Sequence, residues 1–226
     1  MKPDPTPTPV VPRRLLFMLG LTLWLVLSIK LEIIALTFAK LGLDPGSALV
    51  LLMTSLFGSA INLPLFTIRT APPPLPAEQN YRGMLTPPTL PFTGRTRVAV
   101  NVGGCLVPLF FSSFLLQHNP IGGGSLIAAV TLVAAVSYGL SRPIVGLGIA
   151  MPILVAPVTA ALTAIVLGEE HRAALAYVAG SVGVLIGADL LRLKDIRHLG
   201  APLASIGGAG TFDGIFMTGL VAVLLT

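Results

Sequence analysis

Charge is scarce in this chain and gathered into short clusters, with apolar runs between them long enough to enter a bilayer. From Val98 to Ser141 there is no Asp, Glu, Lys or Arg, and from Ala201 to Thr226 the only formally charged side chain is Asp213. Over 226 residues those four types make up 10%, against 54% for the AVILMFWYC set, and the mean hydropathy is +0.90. Soluble domains carry about 25% charged residues, which keep their surfaces wet. This composition excludes a soluble enzyme, a nucleic-acid-binding protein and a disordered regulator. It predicts an all-α fold, a polytopic transmembrane helix bundle. The net charge of +5 does not reopen the nucleic-acid reading, because the basic residues flank apolar runs, as in loops facing the cytoplasm.

A helix needs about 20 apolar residues to cross roughly 30 Å of hydrocarbon. Residues 1–12, rich in Pro and Thr, read as a disordered cytoplasmic tail. Residues 13–226 read as one transmembrane domain. Arg13-Arg14 and the apolar run from Leu15 have no small-x-small cleavage site before Lys30 and Glu32, which predicts a retained anchor. Seven spans are expected: Leu15 to Ile29, with an amphipathic extension to Lys40; Ser47, as N-cap, to Thr67; Val98 to Leu116; Ser125 to Leu140; Ile144 to Gly168; Ala173 to Leu191; and one between Ala201 and Thr226. The last is expected to be broken or re-entrant, which leaves six crossings as the alternative. The long loops are 69–97, on the cytoplasmic side, and 192–211. With the N-terminus inside, Lys2, Arg13, Arg14, Arg69, Arg82, Arg95, Arg97, Arg142, Arg192, Lys194 and Arg197 fall inside, eleven of the fourteen basic residues. The bias predicts a multi-pass protein of the cytoplasmic (inner) membrane with its C-terminus outside.

Two carboxylates stand apart from the loop charges. Asp189 lies near the inner end of the sixth span, and Asp213 precedes the last apolar stretch. A carboxylate in hydrocarbon costs at least about 2.5 kcal/mol, so its default reading is a functional group facing the bundle interior. Two carboxyls that meet and share one proton can act together as general acid and base, and the pair is the candidate catalytic site. The same pair could take up and release a proton or cation during transport. The plainer alternatives are that Asp213 caps a helix and that Asp189 pairs with Arg192 three residues on. Asp195 reads as a solvated loop residue.

Glycines and asparagines supply the candidate substrate-binding set: Asn62, Asn101, Gly207, Gly208 and Gly210. Gly207-Gly208-x-Gly210 resembles an anion-cradling loop or the break of a discontinuous transport helix, without the strand and lysine of a nucleotide site. Its bland alternative is a flexible turn. Asn101 and Asn62 each sit near a proline (Pro108, Pro64), and Gly103-Gly104 invites close packing. The single Cys105 excludes an intrachain disulfide, and His118, His171 and His198 have no metal-ligand spacing, so no metal or cofactor is expected. The expected partners are membrane lipids and either further copies of the chain or other membrane subunits.

Asn101-Val102-Gly103-Gly104 with Pro108, Ser141-Arg142-Pro143 with Gly146 and Gly148, Gly187-Ala188-Asp189-Leu190-Leu191, Leu199-Gly200-Ala201-Pro202 and the run Ser205 to Phe216 together resemble the domain-of-unknown-function 1614 family. These are polytopic membrane proteins of bacteria and archaea. That resemblance covers most of the chain beyond residue 15 and implies no particular activity. A weaker similarity is to the intramembrane aspartyl proteases, which place one catalytic Asp on each of two neighbouring helices, the second within Gly-x-Gly-Asp. Here Thr211-Phe212 intervene between Gly210 and Asp213, Asp189 follows Ala188 rather than a tyrosine, and no Pro-Ala-Leu motif follows. Three functions stand: an aspartate-dyad hydrolase acting on a membrane-embedded peptide or lipid-linked substrate, a small-solute or ion transporter using the same aspartates, and a non-catalytic subunit of a membrane complex.

Overall fold

The computed structural model describes residues 13–70, 94–144, 148–198, 200–208 and 214–226. Seven α-helices occupy most of them: α1 Arg13–Lys40, α2 Pro45–Gly58, α3 Val107–His118, α4 Gly123–Leu140, α5 Val155–Leu167, α6 Arg172–Val184 and α7 Gly214–Leu225. Two π-helical segments, Val102–Leu106 before α3 and Leu185–Leu190 after α6, extend the bundle. Gly123–Leu140 and Arg172–Leu190 are each long and apolar enough to cross a membrane, and the bent pair Glu32–Lys40 and Pro45–Gly58 makes a third candidate. The expected tail 1–12 and most of the loop 69–97 lie outside the described residues.

The fold is not all-α. A three-stranded sheet of order β1-β2-β5 joins Asn62–Arg69, Arg95–Asn101 and Leu203–Ile206, with β1 antiparallel and β5 parallel to β2. A small hairpin pairs β3 Arg142–Ile144 with β4 Gly148–Ala150. The expected second span therefore stops at Gly58, and its last third is a strand. Asn62 and Pro64 halt the helix, and Pro64 is tolerated because β1 is an edge strand with an irregular register between Pro64 and Phe66. The expected third span likewise begins as β2, where Thr96 and Val98 are buried between exposed Arg95 and Arg97, the period of a half-buried strand. The expected fifth span begins as the hairpin, with Gly148 at φ +116°, and becomes helix only at Val155. The 13 residues of α5 make about 20 Å of helix, too short to cross alone. The first helix, by contrast, runs unbroken to Lys40, and its end is buried at Thr37 and Phe38 rather than lying on a surface.

Local chemistry accounts for the turn into α2. Asp44, not Ser47, is the N-cap: its carboxylate accepts the amides of Gly46 and Ser47 at 2.9 and 3.1 Å and the Ser47 hydroxyl at 2.6 Å. Pro45 opens the helix, where a missing N–H costs nothing. The axis turns by 104° between the end of α1 and α2. Lys40 then reaches the carbonyls of Val223 and Leu224, placing a cation at the negative end of α7.

The core is built on α6, buried from Ala174 to Ser181 and packed by α3, α4, α5 and α7. Apolar burial alone cannot hold helices together in lipid, so close backbone approach matters more than side-chain bulk. Gly180 faces Ala160 and Gly219, Gly183 faces Val133, and Gly187 lies against the Ala134 carbonyl. Residue numbers rise together along this contact, from Val133–Gly183 through Ala134–Gly187 to Ser141–Arg192, so α4 and α6 run parallel. Arg192 clamps the far end: it donates to the carbonyls of Tyr138 and Ser141, to the Ser141 hydroxyl and to Asp195 at 3.0 Å, and lies 4.3 Å from the centre of the Tyr138 ring. Its ion pair is therefore with Asp195, and neither the expected Asp189 pair nor a merely solvated Asp195 holds.

A methyl group at Gly187 would collide with backbone, whereas one at Gly139 meets nothing within 4 Å. Gly187→Ala is expected to cost about 1–3 kcal/mol through overpacking. Gly139→Ala stays within about 0.5 kcal/mol of the parent. Thermal melting of the detergent-solubilised protein checks both.

Candidate functional site

The polar groups of the interior converge where the sheet meets the two π segments. The first π segment is started by Asn101, buried at the end of β2, whose Oδ1 accepts the Gly104 amide at 2.8 Å. Its Nδ2 donates to the Ser59 carbonyl at 2.7 Å and to Asn62 Oδ1 at 3.1 Å. Asn62 Oδ1 also accepts the Ser205 hydroxyl of β5 at 2.5 Å. One buried side chain thus ties the end of α2, strands β1 and β2 and the π segment, and the Asn62 oxygen extends that network to β5.

Glycine makes the approach possible. Gly103 lies against the backbone of Ser55 and Ser59, and the Ser55 hydroxyl donates to the Gly103 carbonyl at 2.9 Å. Gly207, directly after β5, has φ +86°, and a Cβ there would stand 2.7 Å from the Cys105 Cβ and the Gly104 carbonyl carbon. Only glycine combines that left-handed backbone with that contact.

Asp189 enters from the other side, on the second π segment. A π turn fits an extra residue into the helix, and such turns are frequent at functional sites. Here the Leu191 amide reaches back to the Ile186 carbonyl at 2.9 Å, with Gly187 and Arg192 both on the α4 side. Two residues beyond Gly187, Asp189 turns away from α4, and its Oδ2 accepts the Gly207 amide at 2.7 Å. Within the glycine run read as an anion-cradling loop or a flexible turn, the Gly207 amide is taken by the chain's own Asp189 carboxyl. Ser205 and Gly207 are two residues apart, so Asn62 and Asp189 engage one short stretch of chain.

Of the residues singled out in the sequence, Asn62, Asn101, Gly207 and Asp189 are joined by this network, and Gly208 continues it at φ +95°. Gly210 and Asp213 lie outside the described residues; Gly214, next after Asp213, opens α7, which packs on the first π segment. The contributions of Ser59 and Ser205 were missed. Ser205 offered a signal in its place two residues before Gly207, whereas Ser59 acts through a backbone carbonyl and offered none.

The protein-family comparison covers this whole junction. A model described as a protein of unknown function (DUF1614) matches residues 56–225. The chain belongs to that family. No curated protein matches it, and no solved structure does. The matched stretch begins in the last turn of α2 and includes every residue of the network but Ser55. Family membership and the apolar helices together make this a membrane protein of a family of unknown function.

Removing Asn101 leaves the Gly104 amide and the Ser59 carbonyl without their partner. Asn101→Leu is expected to cost about 1–3 kcal/mol, the penalty of buried unpaired groups. Asn62→Ala should cost less, because Asn62 is only partly buried. Thermal melting ranks the two, and equal effects would count against Asn101 as the organiser.

Proposed function

We propose that the junction is a hydrolytic site in a multi-pass inner-membrane protein, acting on a membrane-embedded or lipid-linked substrate with Asp189 and Asp213 as its acid–base pair. One observation carries this reading: Asp189 is oriented by a backbone amide on a glycine turn, inside a helical span, at a helix irregularity that turns it toward the sheet. An ionisable group is costly within an apolar span.

In the proposed reaction one carboxylate takes a proton from water as the water oxygen attacks the substrate carbonyl carbon. The other, protonated, hydrogen-bonds the carbonyl oxygen and then gives its proton to the departing oxygen or nitrogen as the bond to carbon breaks. Asn62, held in place by Asn101, would meet polar groups of the substrate beside the pair. The orientation supported by the Lys/Arg bias, N-terminus inside and C-terminus outside, puts the junction near the cytoplasmic face. The parallel run of α4 and α6 agrees with two successive reversals of the chain, into α5 and out of it.

Asp189→Asn and Asp213→Asn, reconstituted separately in proteoliposomes, are each expected to abolish cleavage of a co-reconstituted membrane substrate while the protein still assembles. Loss of proton-coupled uptake instead would favour the transporter, and unchanged behaviour in both assays would leave a non-catalytic subunit. A thiol introduced at Thr226 should react with an impermeant reagent added outside intact cells; labelling only after lysis would reverse the orientation.

A further inference from the structure

The junction above uses one face of α2 only at its end, where Gly58 packs on Gly103, and the rest of that face is hollow. Gly46, Val50, Thr54 and Gly58 recur every fourth residue and form one row along the helix. Two hollows flank it, of about 760 and 550 Å³, each within the range that holds a small ligand. The first is walled by Phe110 and Phe114 of α3, and the second ends on Ile61 and Val102. Val50 and Thr54 line both, so the hollows are two reaches of one track.

The track is chemically uniform. Among the described residues no charged one lines it, and its hydroxyls are turned back on their own helix: Thr54 donates to the Val50 carbonyl at 2.7 Å and Ser47 to the Asp44 carboxylate. It offers no hydrogen-bond partner to an extended peptide, whose backbone cannot go unpaired in hydrocarbon. From Gly46 to Gly58 it spans about 18 Å of helix. Its far end is not open lipid: Ile61 and Val102 are the sequence neighbours of Asn62 and Asn101.

We infer that the track along α2 seats one acyl chain of a membrane phospholipid, so that the polar end of that lipid lies at the Asn62–Asn101–Ser205 cluster. This deepens the hydrolase reading and rests on it in one respect: it makes an acyl lipid, rather than a peptide, the substrate class of the junction. A chain in the track lies alongside α2 and presents its linkage to the site.

The test uses the full-length protein in phosphatidylethanolamine/phosphatidylglycerol vesicles containing a phospholipid with a photoreactive diazirine in its acyl chain. After irradiation, adducts are expected to concentrate on the track, at Val50, Thr54 and Phe110, over the exposed Ile127 and Val166 of α4 and α5. Thr54→Trp, or Val50→Trp on the same row if the first fails to assemble, should lower track adducts about tenfold, the change that about 1.4 kcal/mol of lost binding produces. Equal labelling of all exposed apolar residues would mean surface lipid only and overturn the inference. So would a track protected from label by another segment or by a second copy of the chain. Asp189→Asn should leave the adducts unchanged while abolishing cleavage. Cleavage that survives both the Thr54→Trp and Val50→Trp fillings would sink the track and spare the dyad. Labelling that persists while Asp189→Asn still cleaves would do the reverse.

Discussion

Backbone amides and carbonyls at membrane depth have no water to turn to, so irregular backbone there must find its partners inside the protein. This chain places three strands, two π segments and a left-handed glycine turn in contact with its helices, and each irregular stretch is tied to another. Asn101 ties the first π segment to α2 and β1. The Val102 amide reaches the Ile61 carbonyl at 3.0 Å, and Gly207 is bonded to Asp189. These bonds require close approach, which the glycines at 103 and 207 allow. The polar character of the site and the packing of the bundle therefore have one physical origin.

That coupling shapes the chemistry proposed for the site. Asp189 points toward the sheet because the π segment adds a residue between the two positions, Gly187 and Arg192, that hold the helix to α4. Its partner amide is available because glycine at 207 takes φ +86°. The hydrogen bond orients one oxygen of the carboxylate, and an acid–base group is useful only if its direction is fixed before substrate arrives. The Arg192 clamp at Ser141 and Tyr138 serves the same end from the opposite side of the helix, since it fixes the rotation of the segment that carries Asp189.

The helical bundle was legible where hydropathy and helix period agree. Gly123–Leu140 and Arg172–Leu190 fall within a few residues of the expected spans, and the family resemblance rested on residues inside the matched region. The sheet was not read, because an apolar run of seven or eight residues looks alike in a buried strand and a helix. The alternation Arg95-Thr96-Arg97-Val98 and the pair Asn62 and Pro64 carried the signal, and both were absorbed into longer apolar windows. The site was legible in its parts: Asn62, Asn101, Asp189 and Gly207 stood out as polar residues or glycines in apolar surroundings. Their grouping was not, because it depends on β5 lying beside β2, a pairing of residues about a hundred positions apart that no local pattern encodes.

That pairing also sets an order of assembly. Arg97 meets Leu203 only after α3, α4, α5 and α6 have been synthesised, so the β1–β2 hairpin must wait with an open edge while the helices between are inserted. Contacts between distant residues form late, because closing a long loop is entropically costly. The docking of β5 is thus a completion step. It brings Ser205 to Asn62 and Gly207 to Asp189 together, so the carboxyl is not held in its final direction until the bundle around it has been built.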